Sequence, residues 1–334
     1  MHAIELSAPS LDALRSVTLP QPQPGPGEVL LRMRAASLNF VDLAVATGRY
    51  RVPRFPIIPV ADGAGEVAEV GAGVSEFAVG DRVIPHSKPL WVGGPARAQL
   101  STATRGVVLP GSLAEYVVLP ASALVPTPAH LSHEAAATLP IAATTAWRAL
   151  RAANVRPGSV VTLIGTGGVS IFALQLAKAA GATVIITSSS DEKLERAKAL
   201  GADHTINYRT TPAWDEAVLE ITGGNGADLV VETGGTQTFG RSINAAGVGA
   251  TVFVIGFVTG ATASADLMAI MTRAVNVQGN NTGAVSDLRD VVRAIAASKL
   301  VPIVDKTFGL DEVPQAYDYL AHGGQHFGKI AIAH

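Results

Sequence analysis

Residues 160–170 read Val160-Val161-Thr162-Leu163-Ile164-Gly165-Thr166-Gly167-Gly168-Val169-Ser170, an apolar run that ends in a glycine turn and leads into a helical stretch through Ala180. A strand feeding a glycine turn that opens a helix is the context in which a G-x-G fingerprint has physical meaning. The glycines let the backbone turn tightly and approach a pyrophosphate, and the unpaired N–H groups at the helix start hold its negative charge. The third position is Ser170 rather than glycine, and a small residue there still lets the helix pack on the strand. The pattern predicts a dinucleotide site at Gly165, Thr166, Gly167, Gly168 and Val169.

The next apolar run bears on which dinucleotide. Folds that take NAD usually place Asp or Glu at its end, about 20 residues past the first glycine, to hold the ribose hydroxyls. Here the run ends Thr187-Ser188-Ser189-Ser190. A carboxylate would repel a 2′-phosphate, whereas the hydroxyls of Ser188 and Ser189 can donate to it. Lys193 and Arg209 are candidate cationic partners. Ser190 and Asp191 can also cap the following helix with Lys193 in solvent, and the two readings are compatible. NADPH is expected, with NADH less favoured.

Around this site the chain divides by texture. The first ~125 residues carry short alternating or apolar runs at 28–34, 65–70, 81–85 and 114–119, separated by Gly/Pro turns such as Pro24-Gly25-Pro26-Gly27. Residues 86–112 lack periodicity and read as a surface loop. From about residue 130, helical stretches alternate with runs at 159–164, 183–187, 227–232, 251–255 and 276–279 that are polar on neither face. Such runs fit parallel strands covered on both sides. Residues 287–299 read as a further helix and 327–333 as a last strand. At 334 residues and 48% hydrophobic content, two domains with substantial cores are expected.

Several classes of function are disfavoured. A formal net charge of −2 with scattered Lys and Arg gives no footprint for nucleic acid or an anionic membrane. No apolar span approaches the ~20 residues of a membrane helix, and the N-terminus has no signal-peptide layout. A cytoplasmic protein acting on a small molecule is expected. With no cysteine in the chain, disulfides, thiolate metal sites and cysteine nucleophiles are ruled out. His130 and His133 are the nearest pair of possible metal ligands, but they flank a helix cap at Ser132.

These residues, with the N-terminal half, resemble the medium-chain dehydrogenase/reductase superfamily, and in particular its quinone oxidoreductase-like branch. The markers are Gly25-Pro26-Gly27-Glu28-Val29, Ala36-Ser37-Leu38-Asn39-Phe40-Val41-Asp42, Asp62-Gly63-Ala64-Gly65, Gly80-Asp81-Arg82-Val83, Leu113-Ala114-Glu115-Tyr116-Val117, and Gly201-Ala202-Asp203-His204 with Ile206-Asn207-Tyr208. The resemblance covers essentially the whole chain. It implies an α/β protein with a GroES-like β-rich substrate domain from 1–128 and 284–334, a Rossmann domain with a doubly wound parallel sheet from 129–283, a cleft where they meet, and a dimer or tetramer.

Where zinc-dependent relatives carry their first cysteine ligand this chain has Asn39, where they carry a His-Glu pair it has Ala61-Asp62, and at their later cysteine it has Ile141. No zinc is therefore expected. The resemblance places Asn39, Asp42, Tyr50 and Thr145 around the nicotinamide, with Tyr208 joining Ser188 and Lys193 at the 2′-phosphate. It places Thr233 and Gly234 beside the adenine, and Gly256, Phe257, Asn280 and Asn281 along the nicotinamide ribose and carboxamide. Asn39 and Tyr50 are the expected catalytic donors, while Asp42 reads as either catalytic or a brace for a turn. The expected reaction is NADPH-dependent reduction of a quinone or of the C=C bond of an α,β-unsaturated carbonyl. Metal-free carbonyl/alcohol conversion, and a cofactor-binding structural role with little turnover, stay open.

Overall fold

The computed structural model describes residues 1–322 and 324–334. The strands are, in chain order, β1 (His2–Leu6), β2 (Leu14–Thr18), β3 (Glu28–Leu38), β4 (Asp62–Val70), β5 (Arg82–Pro85), β6 (Tyr116–Pro120), β7 (Leu124–Pro126) and β8 (Val160–Leu163). They continue as β9 (Thr183–Ser188), β10 (His204–Asn207), β11 (Ala227–Glu232), β12 (Ala246–Val254), β13 (Asn276–Gly279), β14 (Val304–Gly309) and β15 (Lys329–Ala333). The chain forms two compact units, Met1–Thr144 with Gly283–His334, and Thr145–Thr282.

In the first unit a seven-stranded sheet runs β14-β15-β3-β4-β5-β7, with β6 also pairing β3. The long strand β3 is its spine. Its first half pairs β6 from Glu28↔Pro120 to Arg32↔Tyr116, and its second half pairs β15 from Ala35↔Ala333 to Leu38↔Ile330. On its other side β4 runs antiparallel, ending at Ser37↔Asp62. The register therefore gathers Asn39, which follows Leu38, Asp62 and Lys329 at one end of three adjacent strands. Burial of Leu38, Leu43, Val45, Tyr317, Ile330 and Ile332 in one apolar cluster holds that end together.

The second unit is a parallel sheet in the order β10-β9-β8-β11-β12-β13. Its strands β8, β9 and β11 carry Val161, Ile185, Ile186, Val230 and Val231, all fully buried, as expected of strands covered on both faces. The order reverses between β8 and β11, which puts the switch point, where such folds bind ligands, at the end of β8.

Two expectations need revision. The boundary drawn at 128/129 falls instead at 144/145, because the helix His133–Ala137 packs on β3 and β4 and the Ile141 N–H donates to Asp62 Oδ2 at 3.2 Å. Residues 86–112 are not simply a surface loop. They include the helix Ala98–Ser101, and His86, Lys88, Trp91, Arg105 and Ser112 are buried. The Arg105 guanidinium donates to Ala61 O at 3.3 Å and Gly111 O at 3.2 Å, bracing the entry to β4. Gly106 and Gly111 lie so close to Pro59-Val60 backbone that an added Cβ would fall 2.8 and 2.1 Å from it.

Candidate active site

In the second unit the glycine turn follows β8, and Gly167 caps the helix Gly168–Ala179. Gly165 has φ +75, the left-handed region glycine enters without strain, and its N–H donates to Thr187 Oγ1 at 3.2 Å. A Cβ placed on Gly165 or Gly167 would meet no protein atom within 4 Å, so the turn borders open space. The first-turn N–H groups of the helix have no intrahelical acceptor and can hold an anion there. Ser170 Oγ donates to Ile164 O at 2.9 Å and Thr233 Oγ1 to the same oxygen at 2.7 Å, fastening helix and neighbouring loop to the strand end. Gly168, Val169 and the buried Thr166 complete the turn.

Ser188 ends β9 and pairs with Asn207 of β10 in register, and the Tyr208 N–H donates to Ser188 O at 3.0 Å. Ser188, Ser189, Tyr208 and Arg209 therefore follow the carboxyl ends of adjacent strands, with Lys193 in the helix Asp191–Ala199 just beyond. Ser190 Oγ accepts the Lys193 N–H at 3.4 Å, so the capping reading holds, but Lys193 is 7% exposed and not a solvated side chain. Tyr208 is 41% exposed, and Arg209 is exposed at the start of the turn after β10. The carboxylate nearest the end of β9, Asp191, accepts from Asn207 Nδ2 at 2.7 Å.

At the ends of later strands, Asn280 Nδ2 donates to Thr145 Oγ1 at 3.3 Å, while Asn280 Oδ1 is buried with no partner. An unpaired buried acceptor of this kind suits the N–H of a carboxamide. Gly256 has no room for a side chain, since its Cβ would lie 1.9 Å from Thr233 O. Phe257 follows Gly256 in the same loop, and Asn281 is exposed beyond Asn280. Sequence reasoning missed Glu232. Fully buried, its Oε1 accepts from Gly234 N at 2.6 Å, Gly235 N at 2.9 Å and Thr238 Oγ1 at 2.7 Å, and its Oε2 accepts from Ser242 Oγ. It shapes the loop that carries Thr233 and Gly234.

In the first unit Asn39 caps the helix Phe40–Ala46. Asp42, a candidate for chemistry, accepts the Asn39 N–H at 2.8 Å through Oδ2 and the Ala61 N–H at 3.1 Å through Oδ1. Both oxygens hold backbone and the side chain is buried, so the brace describes it and the catalytic reading does not. Asn39 Nδ2 donates to Asp62 Oδ2 at 2.9 Å, and Asn39 Oδ1 accepts from Lys329 Nζ at 2.6 Å. Lys329 Nζ also donates to Leu38 O at 2.7 Å and lies 3.8 Å from Asp62 Oδ2. Burial pushes the Asp62 carboxyl up to about 7, against the opposing pull of Lys329, and the same burial lowers the Lys329 ammonium. Tyr50 is 43% exposed, in the turn after the helix, with its N–H bonded to Ala44 O at 2.8 Å.

Lys329 was also missed, though a signal was present: it is the one charge opening the apolar run Ile330-Ala331-Ile332-Ala333. His130 and His133 turn to different partners. His133 Nε2 lies 3.2 Å from Glu66 Oε1 and His130 Nε2 lies 3.0 Å from Leu300 O. Among the described residues no three His, Cys, Asp or Glu side chains converge as metal ligands, and no helix is long and apolar enough to cross a membrane.

A parallel sheet with a glycine turn at its switch point, on a chain whose other unit has the GroES-like sheet, defines a nicotinamide-dependent oxidoreductase. Residues 25–129 match the alcohol dehydrogenase GroES-like domain, and residues 168–297 match the zinc-binding dehydrogenase family. A zinc-type alcohol dehydrogenase-like protein of Schizosaccharomyces pombe is 43% identical over 315 residues, covering 92% of this chain and 91% of its own. An acryloyl-coenzyme A reductase of Metallosphaera sedula is 32% identical over 310 residues, covering 90% of each. The crystal structure of a putative alcohol dehydrogenase from Sinorhizobium meliloti superposes with a TM-score of 0.92 at 39% identity, over 100% of this chain and 99% of the other. The chain belongs to the medium-chain dehydrogenase/reductase superfamily.

Proposed function

We propose that this protein uses NADPH to reduce an activated acceptor, a quinone or the C=C bond of an α,β-unsaturated carbonyl, without a catalytic metal. The observation that carries the reading is the donor set around Asp62. A divalent cation needs several lone pairs directed at one point. Here Asp62 Oδ2 faces the Asn39 N–H, the Ile141 N–H and the Lys329 ammonium, and the Asn39 oxygen is bonded to that same ammonium. Donated hydrogens occupy Asp62 Oδ2 and Asn39 Oδ1, at the positions where the resemblance puts the ligands of zinc-dependent relatives. Of these oxygens Asp62 Oδ1 alone is left without a partner, which is too few lone pairs to support a zinc site.

The bound nicotinamide supplies the hydride. Gly165, Thr166, Gly167, Gly168 and Val169 hold the pyrophosphate, and Thr145 and Asn280 receive the carboxamide, with Thr233, Gly234, Gly256, Phe257 and Asn281 along the remaining edge. Asn39, with Tyr50 as a second donor, meets the charge that develops on the acceptor oxygen. Ser188, Ser189, Lys193, Tyr208 and Arg209 receive the 2′-phosphate, because the nearby carboxylate of Asp191 is turned to Asn207. The acryloyl group named for the Metallosphaera relative is itself an α,β-unsaturated acyl. A homo-oligomer is the expected assembly, supported by the exposed apolar side chains of Leu267, Met268 and Met271.

The test is a steady-state assay of NADPH and NADH oxidation with p-benzoquinone, 2-cyclohexenone and simple aldehydes, before and after EDTA. Turnover of a quinone or enone with NADPH, undiminished by EDTA, is the expected result. Aldehyde reduction that EDTA abolishes and zinc restores would overturn the metal-free reading.

A further inference from the structure

The buried Lys329 has no part in the chemistry above, and its geometry assigns it one. Its ammonium can only donate, and it is bonded to Asn39 Oδ1 and Leu38 O at 2.6 and 2.7 Å. On the opposite side of the same amide, Asp62 Oδ2 accepts from Asn39 Nδ2 at 2.9 Å. The Ile141 N–H and the nearby Lys329 ammonium keep Asp62 Oδ2 an acceptor, so the amide has one orientation: a flip would set N–H against ammonium and carbonyl against an oxygen with no hydrogen to give. The other contacts of Nδ2, to Ser37 O and Asp42 Oδ2, are both 3.5 Å, at the limit of hydrogen bonding. One N–H of a half-buried amide is thus weakly held and available to a better acceptor.

We propose that Lys329 is a positioning residue that fixes and polarises the Asn39 carboxamide, so that its weakly held N–H donates to the acceptor oxygen as charge develops there. A cation on the carbonyl oxygen draws electron density from the nitrogen and strengthens the N–H as a donor. The ammonium acts from behind the amide: with Leu38 O, Asn39 Oδ1 and Asp62 around it, and 4% of its side chain exposed, it does not itself reach substrate. Burial disfavours both charges of the Lys329–Asp62 pair, so their retention in the fold costs stability that a neutral pair would not. The inference rests on the reading of Asn39 as the donor.

A double-mutant cycle on the NADPH-loaded full chain tests it, with Asn39→Ala, Lys329→Met and both together, assayed with whichever of p-benzoquinone and 2-cyclohexenone turns over. Lys329→Met is expected to lower kcat about ten- to a hundredfold with KM for NADPH unchanged, less than the roughly hundred- to thousandfold loss of a whole preorganised donor, because Asn39 itself is retained. The double variant should be no slower than Asn39→Ala alone, and Lys329→Arg should recover part of the loss. Multiplying effects would overturn the proposal while leaving Asn39 as donor. An Asn39→Ala with wild-type kcat would instead remove the donor itself, and the proposal with it. If Lys329→Met does not fold, Lys329→Met with Asp62→Asn keeps the charge balanced and serves as the background of the cycle. Independently of turnover, selective asparagine ¹⁵N labelling reads the amide directly. The Asn39 side-chain N–H resonances, assigned by their loss in Asn39→Ala, should move upfield in Lys329→Met as the polarising cation on the carbonyl is lost, and unchanged shifts would overturn the proposal.

Discussion

His86 shows how one side chain can set the acid limit of a fold. It is fully buried, its Nδ1 accepts the Lys88 N–H at 3.0 Å, and its Nε2 has no partner. Burial, with the positive charges of Lys88 and Arg105 nearby, pushes its pKa down to about 4 from 6.5. A depressed folded value means that the folded chain keeps the neutral ring. The stability this gives is complete above pH 6.5 and is lost as pH falls toward 4, by up to about 3 kcal/mol. Thermal unfolding of wild type and His86→Gln between pH 7.5 and 4.5 checks this: the variant should start less stable but lose less on acidification. Residual acid sensitivity is expected from His334, which burial also depresses to about 4, whereas identical losses in the two proteins would remove His86 from the account. None of this was legible in the sequence, where residues 86–112 lack periodicity and periodicity is the signal that reports burial. Asn39 and Asp42 stood out there by spacing and resemblance. Separating brace from donor required the two backbone N–H groups that Asp42 holds.

At the scale of the element, strands buried on both faces were the easiest to read, because a continuous apolar run has few other uses. β8, β9, β11 and β13 fall within a residue of the expected runs. β12 begins at Ala246 rather than 251 because Gly247 and Gly249 lie within it, and glycine within a strand hides it from pattern reading. The turn after β8 was legible as a turn, and Gly165 meets a backbone need there with φ +75. Gly167→Val and Gly256→Ala separate the space proposed for a ligand from the space set by packing. At Gly167, φ −77 suits any residue and no protein atom lies within 4 Å of an added Cβ. The valine variant should therefore melt near the wild-type temperature yet lose NADPH binding by calorimetry. At Gly256 the methyl would meet Thr233 O at 1.9 Å, so the alanine variant should lose stability before any question of binding arises. Unchanged NADPH affinity in Gly167→Val would place the phosphates elsewhere.

For the whole molecule, the resemblance gave a two-unit plan with both termini in one unit, but it could not supply the pairing that makes the last strand indispensable. β15 lies between β14, to which it is parallel, and the second half of β3, to which it is antiparallel. It fills the sheet with Ile330, Ala331 and Ile332, all essentially unexposed, and brings Lys329 to Asn39. Ending the chain before Lys329 removes six of 334 residues. It would leave the facing edges of β3 and β14 without partners, and would forfeit roughly 1.5–3 kcal/mol for each buried isoleucine. Against a typical net stability of about 5–15 kcal/mol, the roughly 3–6 kcal/mol from the two isoleucines, with the unpaired strand edges added, is a large share, so the unit that holds β15 is expected to open. The second unit has its own apolar cluster around Ile185, Val230 and Val252 and draws no residue from β15. Limited proteolysis of the truncated chain should therefore cut throughout residues 1–144 and leave a resistant fragment near residues 145–282. A truncated chain as resistant as wild type over residues 1–144 would show that β3 and β14 close without β15, and that the strand serves only to carry Lys329.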